Sequence, residues 1–159
     1  MIKRIHIYDL DGTVISSSHR YRTDETGERI DLQFWREHDK PEFIEKDSLL
    51  PHAAQYKADL QNSEIYVIVA TARACIEGDA NYKYITERLG MPNKFIHRQG
   101  VDDTRKGAKL KIEGIKPLLN LKQFRGAVVH FWEDNKDYLN EVCEALNAIP
   151  HYVPSTQGY

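Results

Sequence analysis

The sequence contains few of the features that mark specialised classes of protein. Its only cysteines, Cys75 and Cys143, lack the spacing of a metal site and are too few for a disulfide framework. No apolar run approaches the roughly 20 residues needed to cross a bilayer, and nothing resembles a signal peptide. These absences predict free thiols, no membrane segment and a cytoplasmic location.

An excess of charge of one sign is also missing. The 159 residues include 22 Lys and Arg against 24 Asp and Glu, which gives a formal net charge of -2. This balance excludes a global attraction to nucleic acid or anionic lipid, so any bound phosphate must be held locally. The sequence also lacks GxGxxG, P-loop and Gly-x-Ser-x-Gly motifs, which excludes dinucleotide-dependent dehydrogenases, P-loop kinases and serine hydrolases.

Strand-like segments alternate with segments of helical periodicity along the chain. This order predicts an α/β fold with a doubly wound parallel sheet, in one domain over residues 1–159, and a functional site at the carboxyl ends of the strands. The apolar segment 65–70 suits a central strand covered on both faces, whereas prolines place the segment 149–153 at an edge. The other predicted strands are 3–8, 94–97 and 127–132, and the predicted helices are 51–61, 79–89, 109–119 and one through Leu139 and Leu146.

The strongest motif is Asp9-Leu10-Asp11-Gly12-Thr13, directly after the first predicted strand. Two carboxylates one residue apart, followed by a glycine that lets the backbone turn, can present an anionic pair to a metal ion and a substrate. A surface turn is the alternative, because Asp-Gly is common in turns. The motif alone therefore leaves both interpretations open.

This motif and three later ones resemble the four motifs of the haloacid dehalogenase (HAD) superfamily, in the same order. Thr71 closes an apolar strand as the second motif does, and Glu133-Asp134 follows a strand as the fourth motif does. The resemblance implies a Rossmann-like HAD core and an enzyme that hydrolyses phosphoric monoesters. A carboxylate at the position of Asp11 accompanies phosphoryl transfer in this superfamily, which disfavours dehalogenation.

The third HAD motif is a lysine near the start of a later helix, and three lysines qualify. They are Lys106, Lys109 and Lys111. The segment from Asp103 to Lys111 resembles the Asp-x-Arg loop and apolar-Lys pair of HAD nucleic-acid phosphatases. We therefore choose Lys111, with Lys109 as the reserve, and expect the unchosen lysines to be exposed to solvent.

The resemblance also implies roles for the motif residues. Asp9 would be the nucleophile that forms an aspartyl-phosphate, and Asp11 would protonate the leaving oxygen and then deprotonate water. Thr71 would bind a phosphoryl oxygen, although a threonine after a strand is also a common helix cap. Arg73 suits a bidentate phosphate contact or is a solvated surface arginine. The remaining expected substrate contacts are Gly12, Thr13 and Ala72.

Mg²⁺ is the implied cofactor, because a carboxylate nucleophile and an anionic phosphate repel each other unless positive charge intervenes. The expected ligands are Asp9, Asp11 through its backbone carbonyl, and Asp134, with Glu133 assisting from beside them. Asp137 is a weaker candidate. Alternatively, Glu133 and Asp134 only place acidic charge at a helix N-terminus.

The polar stretch at about 15–50 is expected to form a flap or minimal cap, since the large helical caps of HAD enzymes need more chain. The resulting open site favours a nucleotide or a polynucleotide phosphate end as substrate. The alternatives are a sugar phosphate or similar metabolite, or an inactive HAD-fold binding protein. Basic and aromatic residues of the flap suit phosphate binding and base stacking, unless Phe34 and Trp35 only anchor it to the core. These residues are Arg20, Tyr21, Arg22, Phe34, Trp35 and Arg36.

Two further predictions concern residues outside these motifs. The seven histidines are scattered without a pair at metal spacing, so we expect no catalytic role for them. Residues 154–159 lack periodicity and follow the last predicted strand, which predicts a tail. The sequence leaves the oligomeric state open.

Overall fold

A parallel β-sheet with helices on both faces forms the centre of the protein. The computed structural model describes residues 1–158. In chain order the elements are β1 (Arg4–Tyr8), β2 (Ile15–Ser16), α1 (Leu32–Glu37), α2 (Pro41–Ile44), β3 (Ser48–Leu49), α3 (His52–Leu60), β4 (Ile65–Ala74), α4 (Ala80–Arg88), β5 (Lys94–Arg98), α5 (Gly107–Leu119), β6 (Val128–Glu133), α6 (Lys136–Leu146) and β7 (Ile149–Tyr152).

The central sheet has five strands in the order β5-β4-β1-β6-β7, and all neighbours are parallel. The predicted α/β class and parallel sheet are therefore confirmed. β4 is buried on both faces, as its continuous apolar sequence predicts, and β7 lies at the edge, where its proline costs no ladder hydrogen bond. Parallel pairing brings the carboxyl ends of β1, β4 and β6 to the same edge of the sheet.

The two faces of the sheet carry separate apolar cores. Ile5 and Ile7 of β1 pack on the face with α5 and α6, together with Ile115 and Val142. Tyr8 points to the other face, which α3 and α4 cover. This alternation follows from the two-residue period of a strand, and it leaves both faces of β1 without water.

Two elements extend beyond their predicted bounds on the side of the sheet where the strands end. β4 runs four residues further than predicted, to Ala74, because the chain continues as strand after a shift in its register with β5 between Ala70 and Ala74. α5 begins at Gly107, two residues before the predicted start. The extension of β4 brings Thr71 and Arg73 into regular structure, where their side chains have defined directions.

The segment between β1 and α3 holds the short antiparallel pair of β2 and β3 together with α1 and α2. A buried ion pair fixes it internally. Arg20 donates from Nε and Nη2 to the two oxygens of Asp47, each at 3.0 Å, and both side chains are completely buried. Ile15 and Ile44 also pack into the core, but they are isolated apolar residues in a polar stretch, which explains why apolar periodicity does not reveal this segment.

The expectation that the last residues form a tail is wrong for residues 154–158. Val153 N donates to Glu133 O at 2.9 Å, which continues the pairing beyond β7, and Gln157 is buried. Polar contacts hold this segment, so hydrophobic periodicity carries no sign of its order. Tyr159 lies outside the described residues.

Candidate active site

The motif residues converge at the carboxyl edge of the sheet. Asp9 follows β1, Thr71 lies within β4, Glu133 ends β6 and Asp134 follows it. Asp9 N donates to Trp132 O at 3.0 Å, which holds the first motif against β6. The parallel sheet thus assembles groups that are more than sixty residues apart in sequence, as expected for a doubly wound fold.

A buried cluster of three carboxylates and one lysine lies at this edge. Oxygens of Asp9, Glu133 and Asp134 lie within 4.8 Å of one another. Lys111 Nζ donates to Asp9 Oδ1 at 2.9 Å and to both oxygens of Glu133 at 3.2 and 3.3 Å. The lysine therefore compensates part of the negative charge that the carboxylates bring together.

Of the three candidate lysines, only Lys111 reaches this cluster in the described part of the chain. It is almost completely buried on the inner face of α5. Lys106 and Lys109 have exposed side chains that lie near Glu141 and Glu113, respectively, at the surface. The geometry favours the choice of Lys111 over the other two.

Burial and mutual repulsion shift the protonation of this cluster. Burial, followed by the charge of Asp9, raises the pKa of Asp134 to about 8, and the same two causes raise the pKa of Glu133. Burial by itself would lower the pKa of Lys111, but the charges of Asp9 and Glu133 outweigh it and raise that pKa. The cluster is thus short of positive charge even with Lys111 in place.

The same cluster fits a magnesium ion. Asp134 Oδ2 is buried and has no hydrogen-bond partner among residues 1–158, although a buried carboxylate oxygen without a partner is costly. Mg²⁺ prefers oxygen ligands, including one or two carboxylates. Of the acidic residues predicted as ligands, the side chains of Asp9, Glu133 and Asp134 meet here. Asp137 is exposed on the first turn of α6 and lies outside this group.

The side chain of Asp11 takes part in a different set of contacts. Arg73 donates from Nε to Oδ2 at 3.0 Å and from Nη2 to Oδ1 at 2.6 Å. Ser17 Oγ also donates to Oδ1, at 2.6 Å. Burial would raise the pKa of Asp11, but the charge and hydrogen bonds of Arg73, with Arg20 and Ser17, lower it overall. These contacts hold the side chain of Asp11 in one orientation and favour its ionised form in the free protein.

Arg73 is buried, so the interpretation as a solvated surface arginine is wrong. Its guanidinium also donates to Asp47 Oδ2 at 2.9 Å and to Asn81 Oδ1 at 3.1 Å. Arg73 thus links Asp11 of the first motif to Asp47 of the segment at 15–50, which binds Arg20 as well. Neither interpretation of the sequence included this ion-pair role.

Two of the remaining motif residues, Gly12 and Thr13, lie against Asp134 and Asp9, and the third, Thr71, contacts Arg73. Thr13 Oγ1 donates to Asp9 Oδ2 at 3.2 Å, and Thr71 Oγ1 accepts from Arg73 N at 3.0 Å within β4 rather than at a helix start. Gly12 has a φ of 79°, and a Cβ built there would overlap Asp134 Oδ2 and Ser155 Oγ. Glycine is therefore required at this position for both conformation and space.

A pocket of about 480 Å³ opens above the cluster. Its floor includes Asp9, Asp11, Ala72, Arg73 and Lys111, and its walls come from the segment at 15–50, the loop after β5 and the last residues. This volume falls in the range typical of small-molecule sites. The wall residues include Tyr21, Leu32, Trp35, Arg36, Arg98, Val101 and Gln157.

The aromatic residues of the segment at 15–50 pack on arginines. Trp35 lies under the guanidinium of Arg20 at 4.3 Å, and Phe34 lies under that of Arg22 at 4.1 Å. Trp35 also lines the pocket. The cation–π contact with buried Arg20 holds Trp35 in place. Trp35 therefore both anchors the segment at 15–50 and forms part of the pocket wall.

Sequence reasoning missed four polar residues of the site. Single polar residues in irregular segments carry no periodicity, so only the fold reveals that they face the motifs. A buried, charge-balancing role for Asp47 also depends on two arginines that are distant in sequence. The four residues are Ser17, Asp47, Ser155 and Gln157.

The fold is that of HAD hydrolases. A chain of the Pnkp1/Rnl/Hen1 complex superposes with a TM-score of 0.65 at 18% identity, covering 97% of this chain and 46% of that chain. This chain thus spans about half the length of its match. The haloacid dehalogenase-like protein SP0104 from Streptococcus pneumoniae superposes with a TM-score of 0.57 at 15% identity, covering 90% of this chain and 81% of that chain. CbbY from Rhodobacter sphaeroides, in complex with phosphate, superposes with a TM-score of 0.56 at 14% identity, covering 97% of this chain and 88% of that chain.

A match to a sequence model of a protein family assigns the chain to a narrower group than the fold does. The sequence model of the family described as bacteriophage T5 5′-deoxynucleotidase matches residues 1–94, which include the first two motifs and the segment at 15–50. The chain belongs to this family. The prediction of a HAD-type fold is confirmed, and membership in this family agrees with the prediction of a phosphatase. Comparison with curated proteins found no match.

Two general predictions can also be compared with the structure. Among residues 1–158, no helix is both long and apolar enough to cross a membrane. Cys75 and Cys143 are free and buried, and burial raises the pKa values of their thiols, to about 12 and about 11. The two thiols are therefore poorly reactive.

Proposed function

We propose that the protein is a Mg²⁺-dependent phosphomonoesterase that removes the phosphate of a deoxynucleoside 5′-monophosphate through an aspartyl-phosphate on Asp9. The observation that carries the chemistry is the Asp9 carboxylate, which lies at the pocket floor among Lys111, Glu133 and Asp134. The nucleotide class is supported by membership in a family described as a 5′-deoxynucleotidase.

In this mechanism an oxygen of Asp9 attacks phosphorus as the bond to the leaving oxygen breaks. Lys111 holds Oδ1 of Asp9 and Thr13 holds Oδ2, so the carboxylate is oriented before substrate arrives. Orientation of this kind removes much of the entropic cost of the displacement. Thr71 is buried directly before Ala72 of the pocket floor and would donate its hydroxyl proton to a phosphoryl oxygen, since its oxygen accepts from Arg73 N.

Asp11 supplies acid and base catalysis in the two halves of the reaction. It gives a proton to the leaving nucleoside oxygen and later takes a proton from the water that attacks the aspartyl-phosphate. Arg73 and Ser17 fix its carboxylate in one orientation for both steps. We therefore assign Arg73 to the orientation of Asp11 rather than to direct phosphate binding.

Asp9 and Asp134 would hold the magnesium ion together with the backbone carbonyl of Asp11, with Glu133 beside them. When bound, the ion supplies the positive charge that lets an anionic phosphate approach the carboxylates. Asp134 Oδ2, buried without a hydrogen-bond partner among residues 1–158, offers the free lone pairs that such an ion needs.

The segment at 15–50 is proposed to act as a minimal cap on a single domain of residues 1–159. Its Trp35 lines the pocket, while cation–π contact with Arg20 keeps the ring in place. An aromatic ring of this kind suits stacking with a nucleobase. The buried free thiols support a cytoplasmic location, where such thiols stay reduced.

The test is phosphate release in the presence of Mg²⁺ from deoxynucleoside and ribonucleoside 5′-monophosphates, sugar phosphates, and 3′- and 5′-phosphorylated oligonucleotides. The wild-type protein should prefer deoxynucleoside monophosphates. Asp9→Asn should abolish turnover without lowering the melting temperature. The control Asp137→Asn, at an exposed acidic position, should leave turnover unchanged.

Three outcomes would overturn parts of this proposal. Undiminished activity of Asp9→Asn would remove the nucleophile assignment. Preference for oligonucleotide ends or sugar phosphates would replace the substrate class and keep the chemistry. Failure of the wild-type protein to hydrolyse any of these compounds, or a generic aryl phosphate, would favour a binding role for the fold.

A further inference from the structure

The segment 153–158 passes directly over the motif residues. It leaves the sheet beside Glu133, and a Cβ at Gly158 would overlap the backbone carbonyl of Asp134. A Cβ at Gly12 would overlap both Ser155 Oγ and Asp134 Oδ2, so the hydroxyl of Ser155 lies beside the Asp134 carboxylate. The segment therefore packs on the site at several points.

Gln157 is the most buried polar residue of this segment and binds Ser17, which lies 140 positions earlier. Its Oε1 accepts from the backbone N of Ser17 at 3.2 Å. Its Nε2 donates to Ser17 Oγ at 2.7 Å. Because a backbone N–H can only donate, the first contact fixes which end of the amide faces Ser17 Oγ.

This arrangement determines the direction of the next hydrogen bond. Ser17 Oγ accepts from Gln157, so its single proton is free to point to Asp11 Oδ1, which lies 2.6 Å away. Oδ1 also accepts from Arg73 Nη2 at 2.6 Å. Asp11 Oδ2 accepts from Arg73 Nε at the longer distance of 3.0 Å.

Asp11 therefore presents two unequal oxygens. Oδ1 accepts two short hydrogen bonds of 2.6 Å each and a third from Arg73 Nε at 3.2 Å, whereas Oδ2 accepts from the same Nε at 3.0 Å. A proton placed on Oδ1 would oppose the hydroxyl of Ser17 and the guanidinium of Arg73. The oxygen that can carry a proton to a substrate is thus Oδ2.

We propose that Gln157 is a positioning residue for Asp11, which acts through Ser17 to reserve Oδ2 for proton transfer to the leaving oxygen. This inference rests on the proposed phosphatase function. In the step concerned, the bound anionic phosphate favours the protonated form of Asp11. The proton on Oδ2 then moves to the leaving oxygen as the bond of that oxygen to phosphorus breaks, and Asp11 is left as a carboxylate whose Oδ1 keeps its short hydrogen bonds from Ser17 and Arg73 Nη2.

The choice of leaving group tests this role. A nucleoside alkoxide is a strong base and needs the proton, whereas 4-nitrophenolate leaves readily without one. Gln157→Ala should lower kcat/KM for a deoxynucleoside monophosphate roughly tenfold, below the factor of about 10² to 10⁴ that a general acid contributes, because kcat/KM reports the step that releases the leaving group. The same variant should lower kcat/KM for 4-nitrophenyl phosphate much less.

Three further variants make the result specific. Ser17→Ala should reproduce the loss seen in Gln157→Ala, and the double variant should be no worse than Ser17→Ala, because both residues act in one chain. Gln157→Glu keeps an acceptor for Ser17 N but cannot donate to Ser17 Oγ, so it should also lose activity. Thr156→Ala, at the exposed neighbouring position, should behave as wild type.

Equal losses of kcat/KM on the two substrates, or additive losses in the double variant, would show that Gln157 does not act on the proton given to the leaving oxygen. Activity of Gln157→Ala at the wild-type level on both substrates would also overturn the inference. Melting temperatures of all variants separate unfolding from loss of positioning. Failure of the proposed function is a distinct result, since it would appear as an inactive wild-type protein.

Discussion

Arg73 binds both carboxylate oxygens of Asp11, from Nε to Oδ2 at 3.0 Å and from Nη2 to Oδ1 at 2.6 Å. The same guanidinium reaches Asp47, so it joins the segment at 15–50 to the first motif. A residue near the end of β4 thereby connects the pocket floor to the proposed cap.

The first prediction concerns this guanidinium. Arg73→Lys should lower kcat by up to about 10²-fold, because a single ammonium group cannot hold both oxygens of Asp11 in a fixed plane. Arg73→Ala should also lower the free energy of unfolding by about 3 to 5 kcal/mol, since it leaves buried Asp47 with less positive charge. Steady-state kinetics and urea unfolding measure the two effects, with exposed Arg125→Lys as the control. A kcat unchanged in Arg73→Lys would contradict the orienting role.

A second prediction separates Lys111 from its neighbours. Lys111→Met keeps the length of the side chain but removes the charge between Asp9 and Glu133, so kcat should fall about 10²-fold or more. The matched change Lys109→Met removes an exposed charge and should shift stability by no more than about 0.5 kcal/mol. If Lys109→Met loses activity and Lys111→Met does not, the lysine assignment is wrong.

The third prediction concerns pH and metal. The pKa of Asp134 is about 8 in the folded protein and near 3.8 when unfolded, so between these values the folded state holds a proton that the unfolded state releases. Stability of the metal-free protein should therefore fall as pH rises toward about 8. Melting temperatures in chelator, from a pH of about 6.5 to about 8, measure this trend, which Asp134→Asn should reduce.

Magnesium should reverse this trend. The ion binds deprotonated carboxylates, so the increase in melting temperature on addition of Mg²⁺ should be larger at the higher pH. An increase that is the same at both pH values, or that persists in Asp134→Asn, would argue against a metal site at this cluster.

A fourth prediction concerns two histidines that lie 2.8 Å apart across β6 and β7. His130 Nδ1 and His151 Nε2 are hydrogen-bonded, so at least one ring must be neutral. Burial, followed by the charge of His6, lowers the pKa of both below 6.5. As pH falls, these two histidines therefore take up protons in the unfolded chain at a higher pH than in the folded protein. The free energy of unfolding should decrease as pH falls from about 7 to about 5.

His151→Gln should flatten this dependence, measured by urea unfolding in saturating Mg²⁺ so that the carboxylate cluster stays ionised. His38→Gln, on the segment at 15–50, provides the control. If the free energy of unfolding depends on pH equally in the wild-type protein and in His151→Gln, other groups cause the acid sensitivity. We expect kcat near neutral pH to be unchanged in His151→Gln, as predicted for histidines outside catalysis.

The sequence by itself determined the fold class and the groups of the first, second and fourth motifs. A buried parallel strand needs continuous apolar residues, and catalytic groups gather where such strands end, so β1, β4 and β6 and their terminal residues could be read from local pattern. The family resemblance left three lysines for the third motif, and the sequence favoured Lys111, which has apolar Ile115 and Leu118 four and seven positions later, with Lys109 as the reserve. Only the fold shows that Lys111 is on the buried face of α5, while Lys109 is exposed.

Only the tertiary structure decided the polar partners of these groups. Arg73 is paired with Asp11 and Asp47, and Gln157 is bound to Ser17, through contacts that span 26 to 140 positions of sequence. Such hydrogen bonds depend on distance and angle in three dimensions and leave no periodic trace in the chain. For the same reason the last residues were mistaken for a tail, because what orders them is hydrogen bonding to a distant loop and not apolar burial.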